Sequence, residues 1–364
     1  MKSRNHAFLT LAALFLLVVM ANIWSAGRTD EFPVEPAFEE KIKGVSWEAS
    51  DSVALEHLQS LQPISANWIA QTPFGWQRMY DEPELRFDGQ RGYWGERDEG
   101  LAKTGDLARR IGVKTMLKPH LWLGRETREL GKWRSDIAMQ SEEDWQTWFA
   151  NYEAFILHYA RLAEAEQFDM LCIGTELYQT AVQREADWRA LIAKVRQVYS
   201  GKLTYAANFY EEYERIRFWD ALDLIGIQAY YPLTDSHHPT LDELLSGWQP
   251  HYKRINALRK KWKKPVLFTE VGYRSMPDAA VKPWEWPNGK EVKDDLVSPQ
   301  TQALCYEAMF RTFWREDWLQ GIFLWKWSRS NYHPEGLHDR HARTEPISFT
   351  PKKEGLEVLK EWFE

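Results

Sequence analysis

Two glutamates carry the strongest chemical signal in the chain. Glu176 closes the run Leu171-Cys172-Ile173-Gly174-Thr175-Glu176-Leu177, and Glu270 lies in Val266-Leu267-Phe268-Thr269-Glu270-Val271-Gly272-Tyr273. Each acid follows directly on an apolar run, where ionisation is costly unless the carboxyl has partners or a task. Two carboxyls held roughly 5–5.5 Å apart are the equipment of a retaining glycosidase. One attacks the anomeric carbon; the other protonates the leaving oxygen and then deprotonates the incoming water. A like charge nearby and poor solvation raise the pKa of the acid, keeping it protonated near neutrality. For either glutamate alone, pairing with a barrel arginine or lysine is the plainer reading. The pair together, amid many aromatics, favours the chemistry.

Such acids need strands whose ends converge. After residue 40 the sequence alternates between short apolar runs and longer amphipathic ones. The strand candidates are 42–47, 64–70, 113–119, 170–174, 202–207, 222–229, 265–269 and 321–325. Helical patterns lie between them at 51–61, 99–111, 185–199, 240–262, 299–314 and 352–362. A further helix opens at Ser141-Glu142-Glu143-Asp144, which has capping-box form. Trp145, Trp148, Phe149, Tyr152, Phe155, Ile156 and Tyr159 then recur at steps of three and four. Strands separated by helices pair in parallel, and continuous hydrophobicity says that both strand faces are covered. Eight such units predict an α/β fold, a single (β/α)8 TIM barrel over residues 41–364. No Gly-x-Gly-x-x-Gly follows a strand, so a dinucleotide-binding sheet loses its main support. The long connections 71–97, 120–140, 271–298 and 328–349 all leave the C-terminal ends of strands, where a barrel builds its site.

The same geometry selects neighbours for the two acids. Tyr230 and Tyr231 follow strand six, and a phenol there could hydrogen-bond the nucleophilic carboxylate and hold it ionised. Asn208 ends strand five and could bind a sugar hydroxyl. His120 and Trp122 follow strand three and offer a hydrogen bond and a stacking face. Trp325 and Trp327 end strand eight and could floor the cleavage subsite. Trp47 closes strand one, while Trp68 and Gln71 are placed at the end of strand two. Lys326 reads equally as a hydroxyl ligand or an ion-pair partner. For each tryptophan, plain packing between helix and strand competes with sugar stacking.

Composition limits the partners. The chain has 364 residues, 44% apolar and 27% charged, which excludes a mostly disordered protein. Its net charge of −7 gives no general pull toward nucleic acid or anionic lipid. The 20 tryptophans are many, and a flat apolar face with one polar tip suits stacking on sugar rings as well as core packing. Cys172 and Cys305 read as two buried thiols. No His-x-His ends strand one; His237-His238, and His333, His338 and His341 near Asp339, read as loop residues. Neither a metal nor a cofactor is expected.

At the N-terminus Lys2 and Arg4 precede an almost wholly apolar stretch, 7–24, and Ser25-Ala26-Gly27 offers small residues for cleavage. Residues 1–27 read as a secretory signal or an uncleaved membrane anchor, and 28–40 as an acidic linker. Either way the folded part is expected outside the cytosol, periplasmic or extracellular, free or anchored to the inner membrane, and monomeric.

Several motifs come in a familiar order: Leu117-Lys118-Pro119-His120, Ile173-Gly174-Thr175-Glu176-Leu177, Leu203-Thr204-Tyr205-Ala206-Ala207-Asn208, Phe218-Trp219-Asp220, Ile225-Gly226-Ile227-Gln228-Ala229-Tyr230 and Phe268-Thr269-Glu270-Val271-Gly272-Tyr273. The chain resembles glycoside hydrolase family 113, retaining β-1,4-mannanase-like enzymes of the clan with catalytic glutamates on strands four and seven. The resemblance covers about residues 41–362. It implies that Glu176 is the acid/base, Glu270 the nucleophile and Tyr230 a partner of Glu270. It also implies a β-linked hexose polysaccharide or oligosaccharide as substrate, of β-1,4-mannan type first. Two positions depart from the clan. Thr175 stands where an asparagine usually precedes the acid/base, and no arginine occurs at 67–72, near the end of strand two. A sugar-binding barrel without turnover, and a transglycosidase using the same site, remain open beside hydrolysis.

Overall fold

A computed structural model describes residues 33–285, 294–332 and 345–364. The stretch 7–24 and the histidines at 333, 338 and 341 with Asp339 therefore lie outside the described residues. A compact unit runs from Glu35 to Glu364.

Eleven strands are described, and eight of them close the predicted barrel. In chain order the barrel strands are β1 (Ile42–Trp47), β2 (Trp68–Gln71), β5 (Lys114–Leu117), β7 (Met170–Thr175), β8 (Lys202–Asn208), β9 (Ile225–Gln228), β10 (Val266–Val271) and β11 (Leu319–Trp327). Around the closed barrel the order is β1-β11-β10-β9-β8-β7-β5-β2, and every pairing is parallel. The central core holds Ile42, Ala70, Met116, Met170, Cys172, Ala206, Leu224, Leu267 and Phe323, contributed by strands all round the barrel. Cys172 and Cys305 are buried free thiols.

The helices follow the amphipathic patterns closely. The longest, Glu142–Ala165, starts at Ser141, whose hydroxyl accepts the Asp144 N–H at 3.1 Å. It buries the predicted aromatic face, including Trp148, Tyr152 and Phe155. Between β8 and β9, where no full helix fits, the chain forms only a short helix, Glu212–Arg215, and a 3-10 turn, Trp219–Ala221.

Two connections read as loops prove to be more ordered. Phe74–Gln77 (β3), Leu85–Arg86 (β4) and His120–Leu123 (β6) form a second sheet of order β4-β3-β6. In it Phe74 pairs with His120 and Gln77 with Leu123. Gln77 then clamps this sheet to the long helix: its Oε1 accepts the Trp148 indole N–H at 2.9 Å. Segments of four residues are too short to show a period, and so escape a reading by periodicity.

Most of the tryptophan content goes into packing. Trp68, Trp148, Trp188, Trp219, Trp248 and Trp318 are among the largest fully buried side chains. Their indole N–H groups are largely satisfied inside: Trp219 donates to the Tyr213 carbonyl at 2.9 Å and Trp318 to Glu316 at 2.7 Å. Among the described residues no helix is long and apolar enough to cross a membrane.

Candidate active site

Both glutamates leave their strands at a break in register. Against β9, the register of β10 shifts between Phe268 and Glu270; against β8, that of β7 shifts between Cys172 and Thr175. Such irregularities at a barrel rim re-aim the next side chain. Glu176 itself adopts a left-handed backbone, φ 55°, which costs a non-glycine residue about 1–2 kcal/mol. The turn is held on both sides. Glu176 N–H donates to the Ala206 carbonyl at 2.9 Å, and Leu177 N–H to the Tyr205 hydroxyl at 2.8 Å.

Glu270 is a buried carboxylate with two dedicated donors. Lys118, fully buried, places Nζ 2.5 Å from Oε1 and also donates to the Thr269 carbonyl at 3.1 Å. Tyr230 donates its hydroxyl to Oε2 at 2.7 Å. His120 turns Nε2 toward Oε1 at 3.9 Å, and this nitrogen has no hydrogen-bond partner among the described residues. Burial, with Arg134 and Lys118 close by, pushes the His120 pKa well below its usual value, so the ring is neutral. Burial and then the Glu270 charge push the Tyr230 phenol far up, so it stays a donor.

Glu176 is held differently. Burial pushes its pKa up, and Glu270 pushes in the same direction; Arg134, the Trp133 hydrogen bond and Lys118 pull it down. Trp133 donates its indole N–H to Oε2 at 3.2 Å, and Arg134 Nε lies 3.6 Å from the same oxygen. The Arg134 guanidinium lies against two rings that meet edge to face, 4.6 Å from the Trp133 ring and 5.7 Å from Trp122. One carboxyl clamped by a lysine and a phenol, and one pushed toward its acid form by burial and by the first, are suited to nucleophilic attack paired with proton donation.

The expected neighbours divide into those at the two acids and those elsewhere. Tyr230 and His120 are at Glu270. Trp325 is half-buried beside it, its ring 5.8 Å from Lys118 Nζ. Trp122 faces Arg134. Asn208 uses its backbone N–H and one Nδ2 hydrogen on Glu212 (2.8 and 2.6 Å), leaving Oδ1 and the second Nδ2 hydrogen for a sugar hydroxyl. Trp47 is 5% exposed at the end of β1 and presents little open face. Two placements need correction. Trp68 does not end its strand: Gln62–Ile64 coil into a 3-10 turn, Ser65 takes a left-handed φ of 51°, and β2 begins at Trp68. Its ring packs edge-on against Phe38 (4.8 Å) and Phe323 (6.2 Å), away from the C-terminal rim. Trp327, 3% exposed, donates its indole N–H to Ser60 at 2.9 Å and so packs against the segment following helix Leu55–Gln59 rather than flooring a subsite. Tyr231 is likewise enclosed by Trp248 and His251. Lys326 resolves as an ion pair with Glu48 at 2.8 Å.

Lys118, Trp133, Arg134 and Glu212 escaped the sequence reading as functional residues. Lys118 had a signal, a cation directly after the apolar Met116-Leu117 near the end of the run 113–119, where a buried charge persists only if paired. It answers the missing arginine of strand two by bringing a cation to Glu270 from the third barrel strand. Thr175 turns its hydroxyl toward Cys172, 3.9 Å away. Outside the pair, Tyr178, Tyr210, Phe209 and Trp284 make a continuous run of ring contacts, with Phe209 stacked on Trp284 at 5.2 Å. Tyr210 and Trp284 are each 41% exposed, and the Tyr210 hydroxyl bonds Ser135 in the Trp133 loop. Among the described residues no three His, Cys, Asp or Glu side chains gather as metal ligands, and His237 and His238 are exposed.

The model of Glycoside Hydrolase Family 113 matches residues 40–342. A solved GH113 β-1,4-mannanase complex is 28% identical, covering 89% of this chain and 99% of its own, with a TM-score of 0.72. The GH113 β-mannanase AaManA from Alicyclobacillus acidocaldarius, in complex with ManMIm, is also 28% identical, covers 90% and 99%, and has the same TM-score of 0.72. A β-glucuronidase from Ruminococcus gnavus is similar only in fold: 14% identity, 84% of this chain, 46% of its own and a TM-score of 0.54. No curated protein matches. The chain belongs to glycoside hydrolase family 113 and is a glycoside hydrolase.

Proposed function

We propose that the protein is a retaining β-1,4-mannan hydrolase working by double displacement, with Glu270 as nucleophile and Glu176 as acid/base. The observation that carries this reading is the contrast between the two carboxyls. Glu270 is clamped by Lys118 and Tyr230, while Glu176 is desolvated toward its acid form. In the first step Glu270 attacks the anomeric carbon, the glycosidic C–O bond breaks, and the Glu176 proton goes to the leaving oxygen. In the second, water gives a proton to Glu176, bonds to the anomeric carbon and frees Glu270. The aromatic run Tyr178–Tyr210–Phe209–Trp284 extends from the Glu176 side and offers a flat face to a polymer beyond the cleaved bond.

The deciding experiment uses β-1,4-mannooligosaccharides, with the anomeric form of the first product followed by NMR. Glu270→Ala should abolish cleavage without unfolding the barrel. Glu176→Ala should spare aryl mannosides with good leaving groups, and azide should rescue its slow second step. An inverted first product, or Glu270→Ala within tenfold of wild type, refutes the assignment. A folded protein that binds mannan but turns over no β-linked hexoside leaves a sugar-binding barrel. Basic Lys2 and Arg4 before the apolar stretch 7–24 support action outside the cytosol, with the barrel free or anchored; fractionation of expressing cells tests this.

A further inference from the structure

Behind Glu176 lies a second acid that the double displacement does not use. Glu212 is 0% exposed, and among the described residues no cation pairs with it. Its three hydrogen-bond partners are all donors: the Tyr205 hydroxyl to Oε1 at 2.5 Å, and the Asn208 N–H and Nδ2 to Oε2 at 2.8 and 2.6 Å. A carboxyl that meets only donors is shaped for the anion. The fully buried Tyr205 gives its proton to Glu212 and, with its lone pair, accepts the N–H of Leu177 at 2.8 Å. Leu177 is the residue after Glu176, at the exit of the left-handed turn. A continuous path of hydrogen bonds thus runs from the buried carboxylate, through a phenol, to the peptide that aims Glu176. Gly174 permits this approach: a Cβ there would lie 2.6 Å from the Tyr205 ring and 2.7 Å from Trp188.

We propose that Glu212 is a positioning residue for Glu176: through Tyr205 it fixes the turn that carries this acid, and it places a negative charge behind its carboxyl. The inference rests on Glu176 being the acid/base. A buried carboxylate without a cation is expensive, and burial pushes the Glu212 pKa up to about 7, with its donors opposing that rise and the Glu176 charge adding to it. The fold tolerates this cost at the one place where it can hold a proton donor in line. The other groups facing Glu176 are Arg134 and Trp133 from the loop after β6, Lys118 from the end of β5, and Glu270 from β10. Tyr210 and Tyr230 sense its charge from the ends of β8 and β9. Of these, Tyr210 also senses the Glu212 charge, which pushes its phenol up.

Two variants test the proposal, each checked for folding by thermal melting. Tyr205→Phe removes the acceptor for Leu177 and should lower kcat about tenfold on oligosaccharides, whose leaving oxygen needs a proton, but far less on activated aryl glycosides. Glu212→Gln keeps the shape and removes the charge. The alkaline limb of its kcat/KM profile should move to lower pH by about 0.5–1 unit, because loss of a neighbouring anion makes Glu176 a stronger acid. A uniform loss on all substrates with an unmoved limb means Glu212 is only structural and overturns the proposal. Should Glu212→Gln fail to fold, the substrate split of Tyr205→Phe still decides. If Glu176→Ala itself shows no substrate split, the acid/base reading has failed instead.

Discussion

Arg134 gives the sharpest handle on the proton donor. Its Nε lies 3.6 Å from Glu176 Oε2, and its charge favours the ionised carboxylate. At an effective dielectric of about 20, unit charges at that distance attract by about 4.6 kcal/mol, equivalent to roughly 3.4 pH units as a ceiling. Carboxylates beside an arginine generally shift by about 1–3 units. Arg134→Met removes the cation while a long apolar side chain still packs against Trp122 and Trp133. The Glu176 pKa should then rise, and the alkaline limb of kcat/KM on β-1,4-mannooligosaccharides should move up by about 1–3 pH units. Arg134→Lys should fall between wild type and Arg134→Met. Trp133→Phe should move the limb the same way by less, because it removes one hydrogen bond. Measured on protein with an unchanged circular dichroism spectrum, a limb that stays put or moves toward acid refutes the electrostatic account of Glu176.

Other outcomes follow from the same geometry. Lys118→Met strands Glu270 as a buried, half-satisfied charge and should cost about 3–5 kcal/mol in denaturant unfolding, with loss of turnover. Adding Glu270→Gln to it should return most of that stability; a double variant as unstable as the single one would show that Lys118 is needed for packing alone. Trp284→Ala should lower kcat/KM on long mannooligosaccharides several-fold more than on the disaccharide, and equal losses would place the exposed ring outside the substrate path.

The barrel was legible because parallel strands buried on both faces read as continuous apolar runs, and because helices of fourteen or more residues, such as Glu185–Val198, show their period clearly. Glu176 and Glu270 were legible because an acid after such a run is chemically conspicuous. Failures came where local chemistry hides direction. Apolar Ile64 looked like strand, yet it closes a 3-10 turn, and the displaced start sent Trp68 to the far end of the barrel from the acids. Trp327 sits at the correct end of β11 but faces away from the acids. Regular alternation would put Trp325 and Trp327 on one face. Yet the register with β1 breaks between Leu324 and Trp327, and while Trp325 lies by Lys118, Trp327 turns to Ser60. Trp133, Arg134 and Glu212 come from segments without strong periodicity, and only folding brings them to Glu176. The tryptophan excess pointed to sugar, yet much of it stiffens the layer between strands and helices.

Trp133 and Arg134 ride on the connection that β6 begins, and β6 is stitched to β3 and through Gln77 to the long helix, not to the barrel wall. The acidity of the donor is thus governed by an appendage, while the nucleophile is governed by the wall itself through Lys118 and Tyr230. Working pH becomes a transplantable trait: exchanging residues 120–140 between relatives should carry the alkaline limit of one enzyme into another while both carboxylates and their separation stay untouched.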